Sequence, residues 1–307
     1  MADLNLIKKL RETTSCGIGD CSKALAATND DFDQAIDWLR KKGLSAATKK
    51  SGRVTSEGVV AINIELGNKA TIVEINSETD FVARNQQFQQ FCANIAKLAL
   101  NSNSLEELKS LNYVDVSHTI EEELKNQIGV IGENLNVRRS ATLSVGNGLV
   151  TSYVHNPIAP NMGKIGVLVA FETSYNDKQK LAEFGKQIAM HIAASKPDAL
   201  SIEKVDPAKL QRETEVLKEQ ARNSGKPENI IEKMIEGRIK KYYEEVVLLE
   251  QPFVMDDKVK IKDLVAKFNQ DNKSDVKISD FRLFILGEGI DKKESDFAKE
   301  VSEMTQK

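Results

Sequence analysis

Residues 58–85, GVVAINIELGNKATIVEINSETDFVARN, decide the fold class, because the hydrophobic period changes within them. Val60, Ile62, Ile64 and Leu66 alternate with Ala61, Asn63 and Glu65, which is the period of a strand. Gly67-Asn68 then reads as a two-residue turn, and KATIVEIN at 69–76 returns as the second strand of a hairpin. Beyond it, Phe88, Phe91, Cys92, Ile95, Leu98 and Ala99 recur at helical spacing and mark a buried helix face. Asp80 and Phe81 therefore fall at a strand-to-helix connection, where a carboxylate beside a large apolar ring has two readings. Thr79 can cap the coming helix, with Asp80 at its positive end and Phe81 as an apolar staple. Alternatively, both side chains stand out as an aromatic anchor beside a charge, ready for a protein partner.

The same order recurs further on. GLVTSYVH (148–155) and KIGVLVAFET (164–173) form a second strand pair, and LAEFGKQIAMHIAAS (181–195) repeats the helix, with Phe184, Ile188 and Ala189 in the places of Phe91, Ile95 and Ala96. A third strand follows each helix, LNVRRSATLSV (135–145) and ISDFRLFILG (278–287). The expected class is α+β, a duplicated β-β-α-β core of two subdomains with helices packed on antiparallel sheets. The first subdomain spans 58–146, and the second spans 147–196 and 245–286. Between the two parts of the second lies an insertion at 197–244. Its apolar positions, Leu210, Leu217 and Ala221, then Ile231, Met234, Ile235, Ile239 and Tyr242, flank Gly225 and Pro227. That pattern predicts a charged helical hairpin, suited to contacting protein, either a partner or a second copy of the chain.

Residues 1–43 read as three short helices. Leu4, Ile7 and Leu10 share a face; Asp20 can cap a helix through Leu25 and Ala26; Asp30 or Asp31 can cap a third that carries Phe32, Ile36 and Leu39 and stops at Gly43. So small a module has little core of its own and is expected to dock on something else. Residues 44–57 are small, polar and basic, and read as a linker. The tail at 287–307, with Phe297, Val301 and Met304, reads as a C-terminal helical module.

Composition narrows the function. With 307 residues, the chain exceeds the usual single domain, so more than one is expected. Lysine plus arginine number 43 against 46 acids, a net charge of −3, which gives no global attraction to nucleic acid or anionic lipid and favours a protein partner or small ligand. The N-terminus has no signal-type apolar stretch, no run approaches a membrane span, and three cysteines fit free thiols in a reducing compartment; the expectation is a soluble, cytoplasmic protein.

No catalytic motif is complete. SGKPE at 224–228 would need glycine at Gln220 and a hydroxyl residue at Pro227 to be a phosphate loop. CGIGDCS at 16–22 has Ser22 where the third glycine of a dinucleotide fingerprint belongs, and no strand precedes it. Cys16 and Cys21 have no second ligand pair for zinc. His118, His155 and His191 are isolated; His155 is expected to end a strand at the mouth of a loop, where binding side chains concentrate. An acid-base pair of Asp80 with His155 or His191 would lack a nucleophile, metal or cofactor loop. No enzyme activity, cofactor or metal is expected.

LRETTSCGIGDCSKAL (10–25), ETDFVARN (78–85), IGENLNVRR (131–139), IAMHIAASKP (188–197), the long run from Gly225 to Val254 and the tail GEGIDKKESDFAKEV (287–301) together resemble the bacterial elongation factor Ts family, in order and over nearly the whole chain. The resemblance implies a guanine-nucleotide exchange factor for the GTPase elongation factor Tu, with a ubiquitin-associated-like N-terminal domain ahead of the core. It makes Thr79, Asp80, Phe81 and Val82 the intruding tip, whose ring wedges near the GTPase's magnesium and switch region so that GDP leaves. Ile131, Gly132, His155, Met234 and Ile235 match further partner-contacting positions, as do Arg11 and Ile18 in the N-terminal domain. Some relatives dimerise through the hairpin. Two places depart from the family pattern: Ile18-Gly19 stands where a methionine pair is expected, and the turn after His155 is longer than a short glycine-rich hairpin. The competing class is a non-catalytic adaptor that binds protein through its N-terminal module.

Overall fold

The computed structural model describes residues 3–14, 16–222 and 228–291. Three helices open the chain, α1 (Leu4–Thr14), α2 (Ile18–Ala27) and α3 (Phe32–Lys50). Next come β1 (Glu57–Glu65), β2 (Lys69–Ser77), the single turn α4 (Asp80–Ala83) and α5 (Gln86–Leu98). After α6 (Leu105–Ser110) and α7 (Ile120–Ile131), β3 (Leu135–Ser144) completes the first unit. The second unit begins with β4 (Gly148–Ala159), β5 (Met162–Glu172) and α8 (Lys178–Ser195). An insertion follows, α9 (Pro207–Arg222) and α10 (Glu228–Val246), then a small hairpin of β6 (Pro252–Phe253) and β7 (Asp256–Lys260). The helix α11 (Ile261–Asn272) leads to β8 (Lys277–Ile285).

The duplicated α+β order is present. β2 pairs antiparallel with β1 and β3, and β5 pairs antiparallel with β4 and β8. The two halves meet edge to edge at only two positions, Val60↔Gly163 and Ala61↔Met162. Alternation along the strands separates two buried faces. Val59, Ala61, Val73 and Ile75 pack with Phe88, Phe91 and Ile95 of α5, while Val167, Val169 and Phe171 pack with Leu181, Ile188 and Ile192 of α8. The opposite faces, Val60, Ile62, Ala70 and Ile72 against Leu168, Ala170 and Phe284, form a third core. The layers run helix, sheet, sheet, helix, which buries both strand pairs on both sides. The first hairpin closes through three residues rather than two, because β1 ends at Glu65 opposite Lys69 and Leu66 takes a positive φ of 50°.

The N-terminal helices share a core of Ile7, Leu10, Cys21, Ala24, Leu25, Ala35 and Leu39, with Phe32 and Ile36 against it. Leu4 does not join it, being 81% exposed one turn before that core begins. Asp31 caps α3 through the Gln34 N–H at 2.9 Å. Asp20 is no cap: Gly17 holds that position, and the Asp20 carboxylate pairs with Lys42.

Gly43 does not end α3, and residues 44–50 are not linker. The helix continues to Lys50, and Ala47 enters the core of the first unit. Gly43 is a contact glycine instead: a Cβ on Gly129 of α7 would lie 2.7 Å from its Cα, so the two helices cross backbone against backbone. Arg40 and Glu122, 3.1 Å apart, flank the crossing. Gly129→Val is expected to cost about 1–3 kcal/mol by overpacking. Urea denaturation measures that loss, and limited proteolysis should open residues 44–56 in the variant first.

The turn after His155 also differs from expectation. Residues 156–163 continue the β4–β5 ladder, with Pro157↔Gly163 and Ala159↔Met162, so His155 lies within a strand. Proline is tolerated there because β4 is the sheet edge and its missing N–H breaks no second ladder. At the base of the insertion, Leu210, Tyr242, Tyr243 and Val246 pack against Ala199, Val205 and Val247, and Leu217 and Ile231 are buried. Gly225, Pro227 and the tail positions Phe297, Val301 and Met304 lie outside the described residues. Among the described residues, no helix is long and apolar enough to cross a membrane.

Candidate functional site

The β2–β3 ladder ends at Ser77↔Leu135, and carboxylates take over where backbone pairing stops. Thr79 donates twice to Glu133, from its N–H to Oε2 at 2.9 Å and from its hydroxyl to Oε1 at 2.6 Å. Glu78 reciprocates, accepting the Asn134 N–H on Oε1 at 2.6 Å. Arg53 lies 3.4 Å from Glu78, and its carbonyl accepts from the Asn134 side-chain amide at 2.9 Å. Ser77 Oγ closes the turn on the Thr79 carbonyl at 2.8 Å.

This geometry removes the capping role of Thr79 and the staple role of Phe81. Thr79 makes no side-chain cap to α4, and the cap of α5 is Asn85, which accepts from Gln87 and Phe88. Phe81 is 79% exposed, so it staples nothing. Asp80 is exposed and makes no hydrogen bond or ion pair among the described residues. Val82 and Ala83, by contrast, are buried in the first core. Val82 therefore anchors the tip rather than facing outward, a correction forced by the turn of α4 that points one side chain out and the next one in.

Ile131 and Gly132 are brought to the same place. Gly132 ends α7 with φ 89°, a left-handed turn that reverses the chain and aims Glu133 at Thr79. Gly132 is exposed and Ile131 half-buried. The other expected contacts lie on separate elements: Arg11 exposed on α1, Ile18 58% exposed on α2, His155 exposed on β4, Met234 and Ile235 half-buried on α10. His155 Nδ1 lies 3.0 Å from the Tyr153 hydroxyl. Glu78 and Glu133 went unread in the sequence, because a pairing across 54 residues leaves no local signal.

His191 is a core residue. It is fully buried, with Nε2 2.9 Å from Gln251 Oε1 and Nδ1 accepting from the Val254 N–H at 3.3 Å. These partners fix a neutral Nε2–H tautomer, leaving no nitrogen for acid-base work with Asp80. Burial lowers its pKa, against the Gln251 contact, which raises it. The folded state thus takes its proton at lower pH than the unfolded chain. Stability should fall as pH drops below about 6.5, the ordinary histidine value. Melting temperatures between neutral and mildly acidic pH measure this, and the part due to His191 should vanish in His191→Gln.

The family described as "Elongation factor TS" matches residues 78–288, more than half of the chain. Elongation factor Ts of Rhodospirillum centenum is 52% identical over 307 residues, covering 99% of each chain. That of Rhodospirillum rubrum is 51% identical over 304 residues, covering 98% of each, and that of Mesorhizobium japonicum 47% over 301 residues, again 98% of each. The chain belongs to the elongation factor Ts family. The family match begins at Glu78, next to the tip, and takes in α7, Glu133 and the whole second unit.

Proposed function

We propose that this chain binds elongation factor Tu carrying GDP and expels the nucleotide with the Asp80–Phe81 tip, after which GTP binds. Nucleotide exchange on that GTPase in translation elongation is the family's activity, and it requires no bond chemistry from this chain. The observation that carries the wedge reading is a phenylalanine left 79% exposed on a turn whose backbone is tied down just before it and whose next side chain is buried. A rigid tip loses little ordering entropy on insertion, so its contact energy goes into displacing the partner's magnesium and phosphate ligands. Ile131 and Gly132 extend the surface beside it. Arg11, Ile18, His155, Met234 and Ile235 offer separate footholds that hold the tip in register.

Such a factor works by negative coupling: each tenfold weakening of GDP costs about 1.4 kcal/mol and by reciprocity weakens the factor equally. Calorimetric titration onto nucleotide-free and GDP-loaded elongation factor Tu tests this. The affinity should drop with GDP; equal affinities for the two forms would leave an adaptor, docking through the ubiquitin-associated-like helices where Leu4 and Ile18 are exposed. The setting is the cytoplasm, where translation runs. A homodimer or two-to-two complex through the α9–α10 hairpin would use Val216 and Ile230, each 43% exposed, since Leu217 and Ile231 are already buried within the chain. Sedimentation alone and with the GTPase distinguishes that assembly from a monomer and a one-to-one complex.

A further inference from the structure

We infer that Glu133 is the positioning residue of the exchange tip, a carboxylate clamp that sets the angle at which Phe81 is presented, and that Thr79 serves as its grip rather than as a contact to the partner. The inference rests on the wedge reading above and adds the residue that makes the wedge rigid. The β2–β3 ladder stops at Ser77↔Leu135, two residues short of the tip. An unpaired strand end of that kind frays. Here the Glu133 carboxylate substitutes for the missing ladder, taking the Thr79 N–H and hydroxyl on its two oxygens at 2.9 and 2.6 Å. Glu78 makes the reverse bond onto the Asn134 N–H at 2.6 Å. Two charge-assisted bonds on one residue are strong and directional. They act immediately before Asp80, which has no hydrogen-bond or ion-pair partner of its own among the described residues. Gly132, at φ 89°, turns the α7 terminus so that Glu133 meets Thr79, so the same loop that carries Ile131 and Gly132 holds the tip.

The consequence is a population effect. If the presented conformation is only a fraction of the free ensemble, productive docking falls by that fraction. Glu133→Ala is expected to slow maximal GDP release from elongation factor Tu by about ten- to a hundredfold, and to speed amide hydrogen exchange at Thr79 in the free chain by a similar factor. Thr79→Val, which keeps the N–H and loses the hydroxyl, should show a smaller change in both. The double variant should be no slower than Glu133→Ala, since the two side chains share one interaction. Glu133→Gln should restore most of the rate, its carbonyl accepting the N–H and its amide donating to the hydroxyl.

Parent chain and Phe81→Ala are measured alongside. Release by Glu133→Ala at the parent rate, with Phe81→Ala impaired, would overturn the clamp and leave the wedge standing. No acceleration by the parent would overturn the wedge itself. Loss of protection across the whole first unit, with a lowered melting temperature and no rescue by glutamine, would make Glu133 merely structural. Should Glu133→Ala not fold, Thr79→Val and Glu133→Gln carry the test on the same two readouts.

Discussion

Phe81→Ala should lower the maximal rate at which this chain releases GDP from elongation factor Tu by at least about thirtyfold, the scale of a buried aromatic hot spot. The ring is 79% exposed in the free chain, so removing it takes nothing from the core. Stability should therefore stay within about 0.5 kcal/mol of the parent, as for other surface substitutions. Loss of exchange with an unchanged melting temperature is the signature of a side chain whose partner lies on another protein. Asp80→Ala should also impair release, since its carboxylate, unpaired among the described residues, is free to compete for the GTPase's cationic and metal-bound groups. Undiminished release in both variants would return the pair to a bystander role.

Glu74→Ala should destabilise the fold by about 1.5–3 kcal/mol, the scale of hydrogen bonds to a buried charged acceptor. The Glu74 side chain is fully buried, 3.0 Å from Arg138 and 2.5 Å from Arg139, and it also accepts from the Asn76 amide and the Gly287 N–H. Arg138 and Arg139 continue to the carbonyls of Glu288 and Ile285, so this one carboxylate ties β2 and β3 to the chain leaving β8. Removing it takes one acceptor from each guanidinium, which keeps its bonds to the chain leaving β8, and leaves the Gly287 N–H without its acceptor. Burial would raise the Glu74 pKa, but the Gly287 N–H, the Asn76 amide and Arg139 together outweigh burial and lower it. The unfolded chain therefore binds its proton first as pH falls. The stabilisation is complete above the ordinary glutamate range and is lost as pH drops through the lower folded value. Urea denaturation at neutral pH measures the loss; an acid-side stability slope that is steeper in the parent than in Glu74→Ala confirms its source.

The core was legible because its signals are local. Period-two alternation from Val60 to Leu66 and helical spacing from Phe88 to Ala99, repeated by Ile165–Glu172 and Phe184–Ala189, are enough to give the duplicated β-β-α-β order. Misreadings came where a residue's usual local meaning was overridden by a distant contact. Gly43 resembles a helix stop but exists for the crossing with Gly129. Pro157 and Pro160 look like a loop, yet the edge position of β4 lets the ladder continue past Pro157. The small β6–β7 hairpin is too short to be read in advance, whereas α11 carries a helical spacing at Ile261, Leu264, Val265 and Phe268 that went unread. At the tip, the family resemblance pointed to Asp80 and Phe81, and the structure adds their display and the clamp beneath. Val82 and Thr79 show the limit of a contiguous motif: three residues apart, one is buried and the other hydrogen-bonded to Glu133.

Stopped-flow release of a fluorescent GDP analogue from elongation factor Tu, on mixing with the unaltered chain, measures the exchange itself. Acceleration should rise with the chain's concentration and saturate as the complex forms. Release at the spontaneous rate, at concentrations where the folded chain demonstrably binds the GTPase, would contradict the proposed exchange.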